Sequence, residues 1–280
     1  MITVLKTKEN PLFLANYLRA KYVFKFARLV EGGNVSNLYF ERYEDTNILI
    51  PSKNEQQNIS KLILKIDKLI TLQQRKLKQL QLIRKGLLQQ ILKKNSNWKL
   101  TKLKSILNIR NEQIYPNINY PLMSFVQKKG IIPKNERYNR KFLVKGVKKY
   151  KVTKLGDFIY SSNNLDTGSI GVNKTRNAVI SPVYSIFSSK SYRESQFVGL
   201  LSEDKYFIYK MLRYRQGVVY GQWKIPEKDF LNLEIKIPDQ KTQENIINLF
   251  YKVDKIIEKE ENLTTELSKL KKFLLQNMFM

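Results

Sequence analysis

The sequence predicts an α/β (α+β) globular domain joined to two long helices that pair as an antiparallel coiled coil. Three observations predict it. Ile50-Pro51 and Ile237-Pro238 each open a helical pattern of about 40 residues. The two patterns repeat one another at a fixed offset of 187 residues. The stretch between them breaks into short apolar runs separated by Gly, Pro, Asn and Ser.

The repeat pairs Gln56 with Gln243, Asn58 with Asn245, Ile59 with Ile246, Leu62 with Leu249, Asp67 with Asp254 and Lys68 with Lys255. It continues through Leu80/Leu267, Lys85/Lys272, Leu87/Leu274 and Gln89/Gln276. Two unrelated amphipathic helices would match at apolar positions only. Here polar positions match as well, so the chain contains a duplication. Each helix would be near 60 Å long, at about 1.5 Å per residue. Ser52 and Asp239 are the N-cap candidates. Ile59, Leu62, Ile66, Leu69, Leu77, Leu80, Ile83, Leu87 and Ile91 give the first seam. Ile246, Leu249, Val253, Ile256, Leu263, Leu267, Leu270 and Leu274 give the second, with Gln73 and Glu260 interrupting the two at equivalent places. The chain between the helices must return to its start, which favours an antiparallel pair; the alternative is a pair of core helices in one bundle.

Four segments follow: 1–50, a helix over 51–94, a globular domain over 95–237, and a second helix over 238–280. In the globular segment a capped helix is expected near Leu100–Ile109 and another at Lys205–Arg215. Strands are expected at Pro121–Val126, Phe142–Val147, Asp157–Tyr160, Ala178–Ile180, Val183–Phe187, Phe197–Leu201 and Leu233–Ile237.

Composition narrows the function. The 280 residues carry 51 Lys+Arg against 24 Asp+Glu, a formal charge of +27, with no His and no Cys. Without cysteine there is no disulfide framework, Cys-based zinc site or thiol nucleophile, and without histidine no Ser-His-Asp triad. Residues 97–237 hold 26 basic against 10 acidic residues, more than solubility requires, so the expected partner is a polyanion. Tyrosines 115, 138, 184, 192, 214 and 220 stand among loop-borne Asn, Gln, Arg and Lys, side chains that read base edges and stack on nucleotides. The first 30 residues are punctuated by charge and no stretch reaches about 18 uninterrupted apolar residues, so neither a signal peptide nor a membrane span is expected. The expected location is cytoplasmic.

The order of these parts resembles the specificity (S) subunits of type I restriction–modification enzymes. In that family a target-recognition domain ends in a strand with Ile-Pro, a long helix opens with a Glu-Gln pair, and the unit repeats. Ile48-Leu49-Ile50-Pro51 with Glu55-Gln56 match the first junction, and Ile235-Lys236-Ile237-Pro238 with Gln243 the second, where Thr242 replaces the glutamate. The Trp98…Leu103 opening, the strand Leu155-Gly156-Asp157-Phe158-Ile159-Tyr160, the turn Ile180-Ser181-Pro182 and the closing Gly217…Tyr220-Gly221…Ile225 complete the pattern. The resemblance implies a non-catalytic subunit that binds double-stranded DNA and docks methyltransferase (M) subunits, and through them restriction (R) subunits. It implies no cofactor on this chain; S-adenosylmethionine, ATP and Mg belong to the partner subunits.

Candidate DNA contacts are chosen by chemistry and loop position. They are Lys128, Lys129, Arg137 and Arg140 in the first long loop, and Asn163, Asn164, Asn173, Lys174 and Arg176 around the glycine turn. Arg215, Gln216, Gln222 and Lys224 lie near the closing glycines. Apolar residues outside the two seams, Ile63, Ile70, Leu72, Leu82, Leu88 and Leu92 on one helix and Phe250, Ile257, Phe273, Leu275 and Phe279 on the other, suggest a packing surface for an M subunit. Of these, Ile63, Ile70, Leu88, Phe250, Ile257 and Leu275 are the candidate interface. No catalytic or metal-binding residues are expected. Asp229 with Glu234-Ile235-Lys236 has the outline of a nuclease metal site, but strand alternation accounts for its charges. Gly168-Ser169-Ile170-Gly171 has the GXXG form of an RNA clamp but lies in a turn between strands.

Two rival functions remain open: a coiled-coil adaptor or decoy that binds M subunits without reading DNA, and a nuclease. Only 50 residues precede the first Ile-Pro, against about 140 in the middle domain. They keep Gly32-Gly33 and Ile48–Ile50 but lack counterparts of the Trp98 opening and the Gly156-Asp157 strand. Residues 1–50 are therefore expected to be the tail of a truncated first recognition domain, leaving one reader per chain. A two-part site would then need a second S-type chain; the alternative is an inactive remnant.

Overall fold

The computed structural model describes residues 6–30, 46–93, 97–127, 129–133, 148–165, 168–218 and 222–279. The chain divides into two units, Met1–Ile83 with Asp254–Met280, and Arg84–Val253. Each long helix contributes residues to both. Among the described residues no helix is long and apolar enough to cross a membrane.

In the first unit, α1 (Pro11–Tyr17) starts at Asn10, whose side-chain oxygen accepts hydrogen bonds from the Leu12 and Phe13 amides at 3.1 and 3.0 Å. Proline at the first helical position suits this start, where its missing N–H is not needed. A π-helical turn, Leu18–Tyr22, leads into α2 (Val23–Ala27). Phe13 and Tyr17 pack with Ile59, Ile63 and Phe279 into a small core, the Phe279 ring meeting both edge-on at 5.5 and 5.4 Å.

The long helices are α3 (Lys53–Lys93) and α7 (Gln240–Asn277). They run antiparallel: Asp67 pairs with Lys271 at 2.5 Å, and Lys76 with Glu260 at 2.8 Å. One row of shielded positions on each helix follows an unbroken three-four alternation. On α3 these are Gln56, Ile59, Ile63, Ile66, Ile70, Gln73, Leu77, Leu80, Arg84, Leu87 and Ile91. On α7 they are Gln243, Ile246, Phe250, Val253, Ile257, Glu260, Thr264, Leu267, Lys271 and Leu274, with Met278 just past its end, every one of them 187 residues on. This corrects the expected seams. An all-apolar choice admits Leu62, Leu69 and Ile83, which are exposed, and stumbles in its spacing. A constant alternation holds only when polar Gln56, Gln73 and Arg84 are placed inside. Gln73 and Glu260 hydrogen-bond directly, so two repeat-equivalent residues face each other, which in an antiparallel pair happens only at the centre of twofold pairing.

The correction carries to the candidate subunit interface. Ile63, Leu88, Phe250 and Ile257 are buried within the chain, and Ile70 and Leu275 are half-buried. Ile63, Ile70, Phe250 and Ile257 are seam residues, Leu88 belongs to the second unit's core, and Leu275 packs on the Phe13 cluster. They are not an open docking face.

The second unit is a mixed α+β fold in which every named strand pair is antiparallel. Its strands are β1 (Lys99–Lys102), β2 (Leu107–Ile109), β3 (Gln113–Ile114), β4 (Met123–Val126), β5 (Gly130–Pro133), β6 (Tyr150–Thr153) and β7 (Phe158–Tyr160). After them come β8 (Ile170–Val172), β9 (Ala178–Ile180), β10 (Ser185–Ser189), β11 (Gln216–Val218), β12 (Gln222–Lys224) and β13 (Glu234–Ile237). The sheets are β2-β10-β7-β8, β3-β6-β9 and the pairs β1-β13, β4-β5 and β11-β12. Helices α4 (Tyr192–Leu201), α5 (Lys205–Leu212) and α6 (Glu227–Asn232) complete the unit. Phe158, Tyr160, Phe187 and Phe230 meet ring to ring at 4.8–5.7 Å in its core.

Two expected elements change type. Phe197–Leu201 is the end of α4, not a strand. A short apolar run cannot distinguish a buried helix from a buried strand, and Gly199 brings this helix so close to β8 that a Cβ there would lie 2.7 Å from Val172. Residues 100–109 are two strands around one 3-10 turn, because β1 finds its partner β13 about 135 residues away. Local periodicity carries no trace of such pairing. The expected strand 142–147, Tyr138, Gly32-Gly33 and Tyr220-Gly221 lie outside the described residues.

The duplication extends beyond the long helices. At an offset of 184, Phe13 matches Phe197 and Lys21-Tyr22 matches Lys205-Tyr206. The π turn at 18–22 then falls where α4 ends and α5 begins, so α1–α2 is the counterpart of α4–α5.

Candidate nucleic-acid interface

The described candidate contacts gather around two turns at opposite ends of the β7–β8 strand pair, about 10 Å apart at about 3.3 Å per residue. The first follows β8. Asn173 is fully buried and builds this turn. Its side-chain oxygen accepts from the Thr175 and Arg176 amides at 3.2 and 3.4 Å, while its Nδ2 donates to Arg176 O at 2.8 Å and Thr153 Oγ1 at 3.1 Å. An amide committed in this way holds Lys174 and Arg176 outward and reads no base. Asn173 is thus corrected from contact to support.

The hydroxyl of Thr175 donates to Ile131 O and accepts from Ile131 N, both at 3.0 Å, tying the turn to β5. Gly130, with φ +81°, lies so close that a Cβ would sit 3.1 Å from Lys174 N. The β4–β5 turn therefore abuts the β8 turn and adds exposed Lys129 to Lys174 and Arg176. Beneath them Arg110 grips Asp157 at 2.7 and 3.1 Å, and Asp157 Oδ2 also accepts the Lys154 amide at 2.7 Å. Burial pushes the Asp157 carboxyl above the usual range against the pull of Arg110.

The second turn leaves β7 as a 3-10 turn, Ser162–Asn164, and anchors the β11–β12 hairpin. Ser162 O accepts Arg215 Nε and Nη2 at 3.1 and 2.5 Å, Ser162 Oγ accepts the Ile225 amide at 2.9 Å, and Asn163 Oδ1 accepts the Trp223 amide at 2.5 Å. The Tyr160 hydroxyl donates to Ile225 O at 3.1 Å, and burial raises its pKa far above the usual phenol value, so it stays a donor. Exposed Asn163, Asn164, Gln216, Gln222 and Lys224 surround this hairpin. Half-buried Arg215 lies over the Trp223 ring, 5.5 Å from its centroid.

Trp223, 47% exposed, is the residue that the sequence reading passed over. The signal was there: a tryptophan between Gln222 and Lys224, in a strand whose three residues all face solvent. Lys128, Arg137 and Arg140 lie outside the described residues. Among the described residues no group of three or more His, Cys, Asp or Glu is placed to hold a metal.

Comparison with known proteins meets this geometry from two sides. The family model for the type I restriction modification DNA specificity domain matches residues 1–82. No curated protein matches the chain. The fold is similar to that of the HsdS subunit from Thermoanaerobacter tengcongensis, with a TM-score of 0.50 at 16% identity over 96% of this chain and 70% of that one. It is also similar to the type I restriction–modification S subunit from M. genitalium, with a TM-score of 0.61 at 12% identity over 97% and 74%. A chain from a structural study of complex assembly and conformational transition in the type I restriction–modification system gives 0.56 at 16% over 97% and 71%. The likeness to the type I restriction modification DNA specificity domain is thus direct over residues 1–82, and over nearly the whole chain it is a likeness of fold.

Proposed function

We propose that this chain directs a type I restriction–modification complex to DNA through residues 95–237, which read one half of a target site, and that it performs no chemistry itself. The observation that carries this is preorganisation. Lys129, Lys174 and Arg176 at one turn, and Arg215, Gln216, Gln222, Trp223 and Lys224 at the other, stand on backbone fixed by buried side chains. Rigid display of donors and an aromatic face is what base reading needs, and surrounding charge supplies phosphate attraction. S-adenosylmethionine, ATP and Mg are assigned to the partner subunits, and the site of action to the cytoplasm.

The M-subunit contact moves to a different face. Exposed Leu62, Leu69 and Ile83 recur at the 187-residue offset as exposed Leu249, Ile256 and Leu270. An apolar surface duplicated with the repeat suits two copies of one partner, here M subunits carrying R subunits in turn. Leu69→Glu and Ile256→Glu together should abolish co-purification with M while leaving the second unit folded.

The test of DNA reading is binding of the full chain to a randomised duplex pool at several salt concentrations. One enriched short sequence, with affinity falling steeply as salt rises, is expected. If Arg176 reads a guanine, Arg176→Ala costs about 1–3 kcal/mol and relaxes one base position. Equal affinity for every sequence would make the chain an adaptor instead.

A further inference from the structure

One element among the candidate contacts turns two chemically different faces to solvent. Strands β11 and β12 pair antiparallel as Gln216↔Lys224, Gly217↔Trp223 and Val218↔Gln222, and join no other strand among the described residues. Gln216, Gly217, Gln222, Trp223 and Lys224 are all exposed. Residues directly opposite each other in an antiparallel pair share a face, and successive residues alternate between faces. Gln216, Gln222 and Lys224 therefore lie on one side of this ribbon, and Gly217 and Trp223 on the other.

The tryptophan side holds the ribbon in place. Ile225, two residues along on that side, is fully buried in the second unit's core. The Trp223 ring reaches across to Gly217, where an added Cβ would meet it in ordinary contact at 3.8 Å, and Arg215 lies over the ring. Asn163 and Ser162 fix the strand's main chain by accepting the Trp223 and Ile225 amides. The glutamine side takes no part in this anchoring. Gln216 and Gln222 make no side-chain hydrogen bond among the described residues, although each amide carries donors and an acceptor. The contrast is Asn173 at the other turn, whose amide is committed to Thr153, Thr175 and Arg176.

We infer that this ribbon enters the major groove of DNA with its glutamine side against the bases, and that Gln216 and Gln222 are specificity-determining residues that each select an adenine. The groove admits a two-stranded ribbon, and an amide presents acceptor and donor side by side, the complement of adenine N6 and N7. The two glutamines are diagonal neighbours about 7 Å apart, close to two base-pair steps of about 3.4 Å each. This rests on the DNA-reading function proposed above and names the element of it that distinguishes bases.

The experiment repeats randomised-duplex selection on the full chain with Gln216→Ala and with Gln222→Ala. Each variant should relax an adenine at one position, the two positions lying within about three base pairs of each other. The salt dependence of binding should stay as it is, because neither change removes a charge. Putting 7-deazaadenine, which lacks the N7 acceptor, at either position should weaken the wild-type chain about fivefold and leave the matching alanine variant unaffected. Three results would overturn the inference: an unchanged preference in either variant, a base other than adenine at the positions that relax, or sensitivity to 3-deazaadenine instead of 7-deazaadenine, which would place the contact in the minor groove. A wild-type chain that enriches no sequence would overturn the DNA-reading function and this inference together. An enriched sequence that either variant keeps unchanged would overturn the inference alone.

Discussion

The two copies of the repeat start their long helices alike but in different surroundings. At the second junction strand, helix pair and long helix close around one core, with Phe207, Ile235, Ile237, Ile246 and Phe250 all buried in it. At the first junction the same long-helix start lies beside a smaller cluster among the described residues, Phe13, Tyr17, Ile59, Ile63 and Phe279. The difference teaches that the duplicated helices keep one register although the clusters packed around their two starts are unlike. Their seam is set by its own alternation, polar positions included.

The largest effect that sharpens this comparison is in the helix pairs. Phe207→Ala should destabilise the second unit by about 3–5 kcal/mol, the range for removing a buried aromatic ring, whereas its counterpart Val23→Ala should change stability by no more than about 0.5 kcal/mol. Denaturant unfolding of both variants checks the pair; a large loss from Val23→Ala would mean that the first copy is already covered.

A smaller difference separates the two junction glutamines. Gln56 uses both ends of its amide: Oε1 accepts the Asn10 amide at 3.0 Å, and Nε2 donates to Glu9 at 2.7 Å and to Pro51 O. Gln243 Oε1 is buried without a partner among the described residues. Gln56→Leu strands the Asn10 donor and should cost about 2–3 kcal/mol, and Gln243→Leu about 1 kcal/mol less, because it removes an unsatisfied acceptor along with one bond. Equal costs would erase the distinction between the junctions.

The smallest effect lies at the centre of the coil. The hydrogen bonds from Lys76, and then from Gln73, hold the Glu260 carboxyl below its usual pKa. A depressed carboxyl stabilises the folded state above its unfolded pKa, and that contribution disappears as pH falls through the folded value. Melting of the chain should therefore become easier under acid conditions, and Glu260→Gln should flatten that part of the profile.

Much of this was legible in the sequence. Ser52 and Asp239 stand just before their helices as expected; Asp239 accepts the Thr242 hydroxyl at 2.6 Å and the Thr242 amide at 3.0 Å, and these bonds lower its carboxyl pKa. The offset of 187 returns as the Gln73–Glu260 contact. Hydrophobicity alone misplaced the seam, because Arg84 and Ile70 occupy positions that an apolar count assigns to Ile83 and Leu69. Arg84 is buried because Glu203 meets its guanidinium at 2.5 and 3.0 Å, a partner 119 residues away that no local pattern shows. The site was legible as chemistry rather than as geometry. Lys174 and Arg176 are displayed as expected, but that Asn173 is the scaffold holding them depends on a folded turn, and Trp223 emerges only once its strand is seen to face solvent on both sides.

The central proposal is that residues 95–237 form one reader of half a target site. Mapping the methylated motif of a reconstituted complex, with its S-chain count measured on the same sample, tests it most directly. A complex containing a single such chain should methylate a short, uninterrupted sequence, and a two-part motif should appear only when a second S-type chain is present. A single chain that specifies a two-part motif by itself would contradict the account.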